Sequence, residues 1–227
     1  MISPDDSDYL QTKEVKQGER AMAPALLRLA DWTAERYAVP TPLNILFERI
    51  EPDNRPRLQL VFERTRDESV FLNDMGIGYD EAKQHEVAQA FQASLGPEDR
   101  AHYDCRRMFV IFSAFEPVAR WDANSRLNEG LPGRARLAGI LKSLGNEMLW
   151  AIRPGFDNAV FFLWTDEQLR AVSGSAFARH CRQVYAAALD LFDEFGYFRE
   201  APVEIEFSSR ETFERVYGGN WFNFDRR

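Results

Sequence analysis

The chain has 227 residues, 45% hydrophobic and 13% aromatic, with 18 Phe, a net charge of −8 and a pI near 5.1. That much apolar material excludes a disordered chain, and the acidic balance excludes a phosphate-tracking nucleic-acid binder, whose footprint is positive. Two cysteines without paired spacing, Cys105 and Cys181, exclude a disulfide framework and point to a reducing cytoplasm.

The opening stretch, residues 1–12, is polar and acidic and is expected to be a flexible N-terminus, with no secretory signal. Apolar spacing from Val15 to Ala38 predicts a helix whose main part runs from Met22 to Ala38, with Pro24 in its first turn, where proline is tolerated. "LNILFERIE" (43–51) and "RLQLVFERT" (57–65) alternate in strand fashion across the turn-forming "PDNRP", which predicts an antiparallel hairpin. Asp80 to Leu95 reads as an amphipathic helix. The continuous apolar run "RRMFVIFSAF" (106–115) predicts a central strand covered on both faces. A polar stretch follows, then a loop at "NEGLPG" (128–133) and a helix at 134–145 with a glycine stop.

"NAVFFLW" (158–164) predicts a second buried strand, followed by a helix opened by a Thr165/Gln168 capping box. Ser175 is placed as the N-cap of a long helix, Phe177 to Phe195. "VEIEF" (203–207) alternates as a strand with one wet face, and Ser208 with Glu211 suggests another capping box for "SRETFERVY", stopped at Gly218-Gly219. No apolar run reaches the ~18 residues of a membrane helix, and no solenoid-period repeat is found. The expected architecture is α+β: a single domain over residues 13–227 with one mixed or antiparallel sheet of about five strands packed with helices.

Chemistry-bearing motifs are sparse. His85, His102 and His180 have no ligand spacing with one another or with cysteine, so no metal or cofactor is expected. "SGSAF" (173–177) lacks the second glycine of a nucleophile elbow, and "MGIGYD" (75–80) lacks the rest of a phosphate cradle, so no catalytic residue is assigned. Charge is uneven. Between Arg100 and Lys142 stand eight basic and four acidic residues, and between Asp193 and Arg215 seven acidic and three basic. Glu204 and Glu206, two apart on a strand, share a face opposite Val203, Ile205 and Phe207. With Glu211 and Glu214 they form the acidic surface assigned to partner binding. The alternative is an anion or small-molecule pocket near the 128–136 loop, with Arg134 and Arg136 as ligands at a helix start.

The last third carries a distinctive aromatic texture: Phe207, Ser209, Phe213, Tyr217, Asn220, Trp221 and Phe222, a strand, then a short helix, then an "NWF" tail. It resembles uncharacterised bacterial proteins of the toxin-immunity type. The resemblance implies a soluble cytoplasmic, non-enzymatic inhibitor whose acidic surface receives a basic protein such as a toxin, with neither nucleic acid nor membrane as partner. The tail, "GGNWFNFDRR" (218–227), is expected to fold back on the sheet or the terminal helix, because three aromatics displayed together would form an adhesive patch.

Overall fold

The computed structural model describes residues 3–145, 147–172 and 174–226. It divides into two compact units, Met1–Val118 and Ala119–Arg227. Each has its own three-stranded sheet and its own buried cluster. The α+β class stands, and the expected single sheet of about five strands is corrected to two sheets of three. A sequence reading counts strands but cannot see which of them pair.

Unit 1 begins with α1 (Ser7–Gln17) and α2 (Pro24–Tyr37), followed by the predicted hairpin, β1 (Asn44–Ile50) and β2 (Arg55–Phe62). The short α3 (Thr65–Glu68) and a 3-10 turn lead to α4 (Glu81–Ser94), α5 (Asp99–His102) and β3 (Phe109–Ala114). The helix α6 (Phe115–Asn128) starts at the next residue. Unit 2 continues with α7 (Gly130–Ser143), the hairpin β4 (Leu149–Pro154) and β5 (Asn158–Leu163), then α8 (Asp166–Val172), α9 (Ala176–Leu189) and α10 (Tyr197–Glu200). It closes with β6 (Glu204–Ser209), α11 (Arg210–Tyr217) and α12 (Trp221–Phe224).

The two units share one topology. A helix enters an antiparallel hairpin, the hairpin's second strand is central, and after intervening helices a third strand joins it in parallel. The third strand passes straight into a helix each time. Even the register agrees: Leu60 faces Phe112 and Val61 faces Ser113, while Phe161 faces Phe207 and Phe162 faces Ser208. Around these positions "FSAFE" (112–116) and "FSSRE" (207–211) keep the Phe, the Ser and the Glu. The two units repeat one architecture that the sequence does not show as a repeat.

Several local expectations are met for the reasons that generated them. Pro24 opens α2 at its first position. Thr165 Oγ1 accepts from Gln168 N at 3.2 Å while Gln168 Oε1 accepts from Thr165 N at 3.0 Å, a reciprocal capping box. Ser175 caps α9 through Ala178 N.

Others are corrected. The N-terminal stretch is helical from Ser7, held by buried Tyr9 and Thr12 and by an Asp8–Arg57 ion pair at 2.7 Å. The strand β3 lies at a sheet edge with alternating burial, because only one of its faces meets the main core. The polar stretch after it is α6. "NEGLPG" belongs to the start of α7, where Gly133 is required: a Cβ there would meet the Asn128 carbonyl carbon at 2.1 Å. The cap of α11 is Ser209, not Ser208. The helix expected over 177–195 ends at Leu189, and β4 had no distinct pattern in the sequence.

In unit 1, Leu58, Leu60 and Phe62 of β2 pack with Val110 and Phe112 beneath α2 and α4, and Phe71 stacks between Phe62 (5.0 Å) and Phe112 (4.3 Å). In unit 2, Ala159, Phe161 and Leu163 of β5 face Cys181, Tyr185 and Leu189 of α9. The opposite face of β5 carries Val160 and Phe162, which are roofed by Phe213 of α11 and by the tail. Gly218 and Gly219, at φ +65° and +67°, turn the chain back through two consecutive left-handed residues, a conformation that favours glycine. Trp221 then stacks on Trp150 at 5.8 Å and 11°, and Phe224 meets Phe162 at 5.1 Å. The tail is a clasp. Only Phe222 is displayed, 61% exposed. Among the described residues no helix is long and apolar enough to cross a membrane.

Phe224 is 3% exposed, so Phe224→Ala is expected to lower the stability of unit 2 by about 3 kcal/mol. The neighbouring Phe222→Ala should stay within about 0.5 kcal/mol of the parent. Guanidinium unfolding followed by tryptophan fluorescence checks both, and equal effects would contradict the clasp.

Candidate functional site

The most developed concavity in unit 2 is a cleft of about 700 Å³. One wall is the face of α6 that carries Trp121, Asn124, Ser125 and Asn128, spaced three, one and three residues apart along one side of a helix. The opposite wall is the β4–β5 turn. Glu206 of β6 and Phe224 and Asp225 at the tail complete it.

Asn124 holds the two walls together. Its Nδ2 donates to Gly155 O and Asn158 O, each at 2.9 Å, and its Oδ1 accepts from the buried Tyr185 hydroxyl at 2.7 Å. All its hydrogen-bonding groups are therefore engaged in structure, which suits a fully buried amide. Gly155 is pressed against Asn158, whose Oδ1 would lie 1.9 Å from a Cβ, so a larger residue there would displace the Asn158 side chain. Phe156 is pushed outward by that turn, 57% exposed, and meets Trp121 edge to face at 4.9 Å. Arg153 pairs with Asp225 across the rim and lies 5.4 Å from the Trp221 ring, tying the clasp to the hairpin. Glu206 stays exposed on the wet face of β6 and accepts a long bond from Asn158 Nδ2 at 3.3 Å.

The acidic residues selected from sequence separate into two pairs. Glu204 and Glu206 lie exposed on the face opposite Ile205, as alternation requires. Glu211 and Glu214 have intramolecular duties: Glu211 Oε2 accepts from Asp166 N at 2.8 Å, closing the start of α8, and Glu214 pairs with Arg210 at 2.7 Å. The same junction holds Asp166, which accepts from Ser209 Oγ, from Thr212 Oγ1 at 2.7 Å and from Arg215 Nη1 at 2.8 Å. The Ser209, Thr212 and Arg215 bonds hold the Asp166 carboxyl well below the usual carboxylate range.

The two arginines of the alternative reading do not converge. Arg136 donates from Nε to Leu127 O at 2.8 Å and from Nη2 to Arg126 O at 2.6 Å, satisfying carbonyls at the end of α6, and lies 5.1 Å from the Phe192 ring. Arg134 is exposed on α7, and neither lines the cleft. Of the 128–136 segment only Asn128 does.

Burial pushes the Cys181 thiol up to about 11 and raises the Cys105 thiol as well, so both are poor nucleophiles. Among the described residues no group of three or more His, Cys, Asp or Glu is placed to hold a metal ion. Trp121, Arg153, Phe156 and Asp225 were missed from sequence. The 121/124/125/128 spacing was the available signal, hidden by the polarity of the stretch. No family model, curated protein or solved structure matches the chain.

Because the Asp166 pKa is depressed in the fold, its stabilisation is present above the ordinary carboxylate range, near 4, and is lost as pH falls below it. Asp166→Asn should be less stable than the parent at pH 7, with the difference narrowing between about pH 5 and pH 2. Thermal midpoints measured across that range check this, and parallel curves would contradict it.

Proposed function

We propose that the protein is a non-enzymatic, immunity-like inhibitor that receives a basic protein partner on the acidic side of unit 2. The observation that carries the reading is the cleft beside Glu206, where an outward-pushed Phe156 meets Trp121 edge to face. The exposed Phe156 and half-buried Trp121 beside the Glu206 carboxylate suit a cationic side chain, through cation–π contact and charge together. Aromatics of this kind are the residues that dominate protein–protein hot spots. Glu204 extends the acidic strip along β6, and a net charge of −8 steers a basic partner towards the complex at a raised association rate. The acidic strip and the aromatic tail meet at this cleft, with Glu206, Phe224 and Asp225 on its wall.

Co-expression with the basic products of adjacent genes tests the proposal. One of them should form a complex with the chain and lose its toxicity. The double reversal Glu204→Lys/Glu206→Lys should weaken that complex at least about ten-fold, with unchanged circular dichroism, and Trp121→Ala should do the same. Binding insensitive to all three substitutions would sink the acidic-cleft reading.

A further inference from the structure

We infer that unit 1 holds a second recognition site, for an arginine residue of a peptide or protein, so that one chain takes two cationic side chains. The inference rests on the reading above, in which the partner is basic.

The site is a cleft of about 590 Å³ whose lining includes Asp6, Asp8, Arg57, Glu68, Tyr79 and Ser113. It corresponds in place to the unit 2 cleft. Arg57 and Ile111 here occupy the ladder positions that Asn158 and Glu206 occupy there, on the sheet face turned away from the main core. The shared topology places a concavity at both positions, and the side chains that line the two differ.

Hydrogen-bonding capacity defines the ligand. Asp8 is paired with Arg57 at 2.7 Å, and Asp6 accepts from Ser3 N at 2.6 Å. Glu68 has no ion-pair partner among the described residues, and burial raises its carboxyl above the ordinary range. Gln59 is wholly buried on the same strand face as Arg57. Its Nε2 donates to Ser113 Oγ at 2.9 Å while its Oε1 has no partner. Arg57 Nη2 is shared between Asp8 and Glu48, and Arg57 Nε has no partner. Gln59 Oε1 lies outside the lining, so the acceptors that a ligand meets are the Glu68 and aspartate carboxylates; these call for a cation rich in donors, and the open Arg57 Nε calls for one acceptor.

A peptide arginine brings both. Its guanidinium offers five donors in a plane and no acceptor, its main-chain carbonyl offers the acceptor, and the plane suits the Tyr79 ring. Lysine offers three donors on a point charge and no plane.

The test is an amide NMR titration of the full chain with N-acetyl-arginine methylamide and, separately, with its lysine counterpart. Saturable shifts at Tyr79, Ser113 and Ala114, stronger with the arginine probe, support the inference. Glu68→Gln should weaken that binding roughly ten-fold while leaving the shifts at Asn158 and Glu206 in place, and Glu206→Gln should do the converse. Shifts confined to Asn158 and Glu206 would overturn the second site and leave the unit 2 reading standing. Shifts confined to unit 1 would support it and count against the unit 2 cleft. Equal affinity for the two probes, or a Glu68→Gln variant that binds like the parent, would overturn it.

Discussion

Val160 and Phe162 point to one side of β5 while Ala159, Phe161 and Leu163 point to the other, and all five are buried. A strand apolar on both faces has to be covered twice, since each exposed Phe or Leu would forgo about 1.5–3 kcal/mol of burial. The helices α7 and α9 cover one face. The second cover has to come from what remains of the chain, and that is α11 and the aromatic tail. The glycine reversal, the Trp150–Trp221 stack and the Arg153–Asp225 rim pair all follow from that requirement. So does the cleft, because Phe224 and Asp225 reach its wall only when the clasp is closed.

Unit 1 answers the same demand differently. Its middle strand also carries core residues on one face, but the other holds Arg57, Gln59 and Val61, two of them polar. The cover there is α1 with the first turn of α6. Tyr9 stacks on Phe115 at 5.1 Å, and buried Thr12 accepts from Asn44 Nδ2 at 3.2 Å. A polar second face needs partners as well as shelter. One framework thus supports an aromatic roof in one half and a hydrogen-bonded one in the other, and each roof leaves a concavity over the corresponding part of its sheet.

The acidic stripe shows how a sequence cluster can mix two roles. Glu211 belongs to the junction of β6, α11 and α8, as its counterpart Glu116 belongs to the matching junction in unit 1, where it pairs with Arg64 at 3.2 Å and its amide donates to Glu63 O at 3.0 Å. The glutamate after the Phe-Ser pair thus has a comparable place in both units. Glu204 and Glu206 lie instead on the exposed face of β6, where Glu206 accepts from Asn158 Nδ2.

What the sequence by itself determined was local. Pro24, the Thr165/Gln168 pair, Ser175 and the alternation of Val203 to Phe207 act over a few residues, so caps, strand faces and the hairpin were legible in them. Tertiary structure decided the rest. Whether "RRMFVIFSAF" is central or at an edge depends on which strand lies beside it, and the apolar run is the same in either case. The helix α1 looked loose because its few apolar residues gain burial only against an already formed sheet. The polar face of α6 became a cleft wall only when the β4–β5 turn was brought across it by Asn124. The shared topology stayed hidden for the same reason: pairing register and strand order are properties of contacts far apart in the chain.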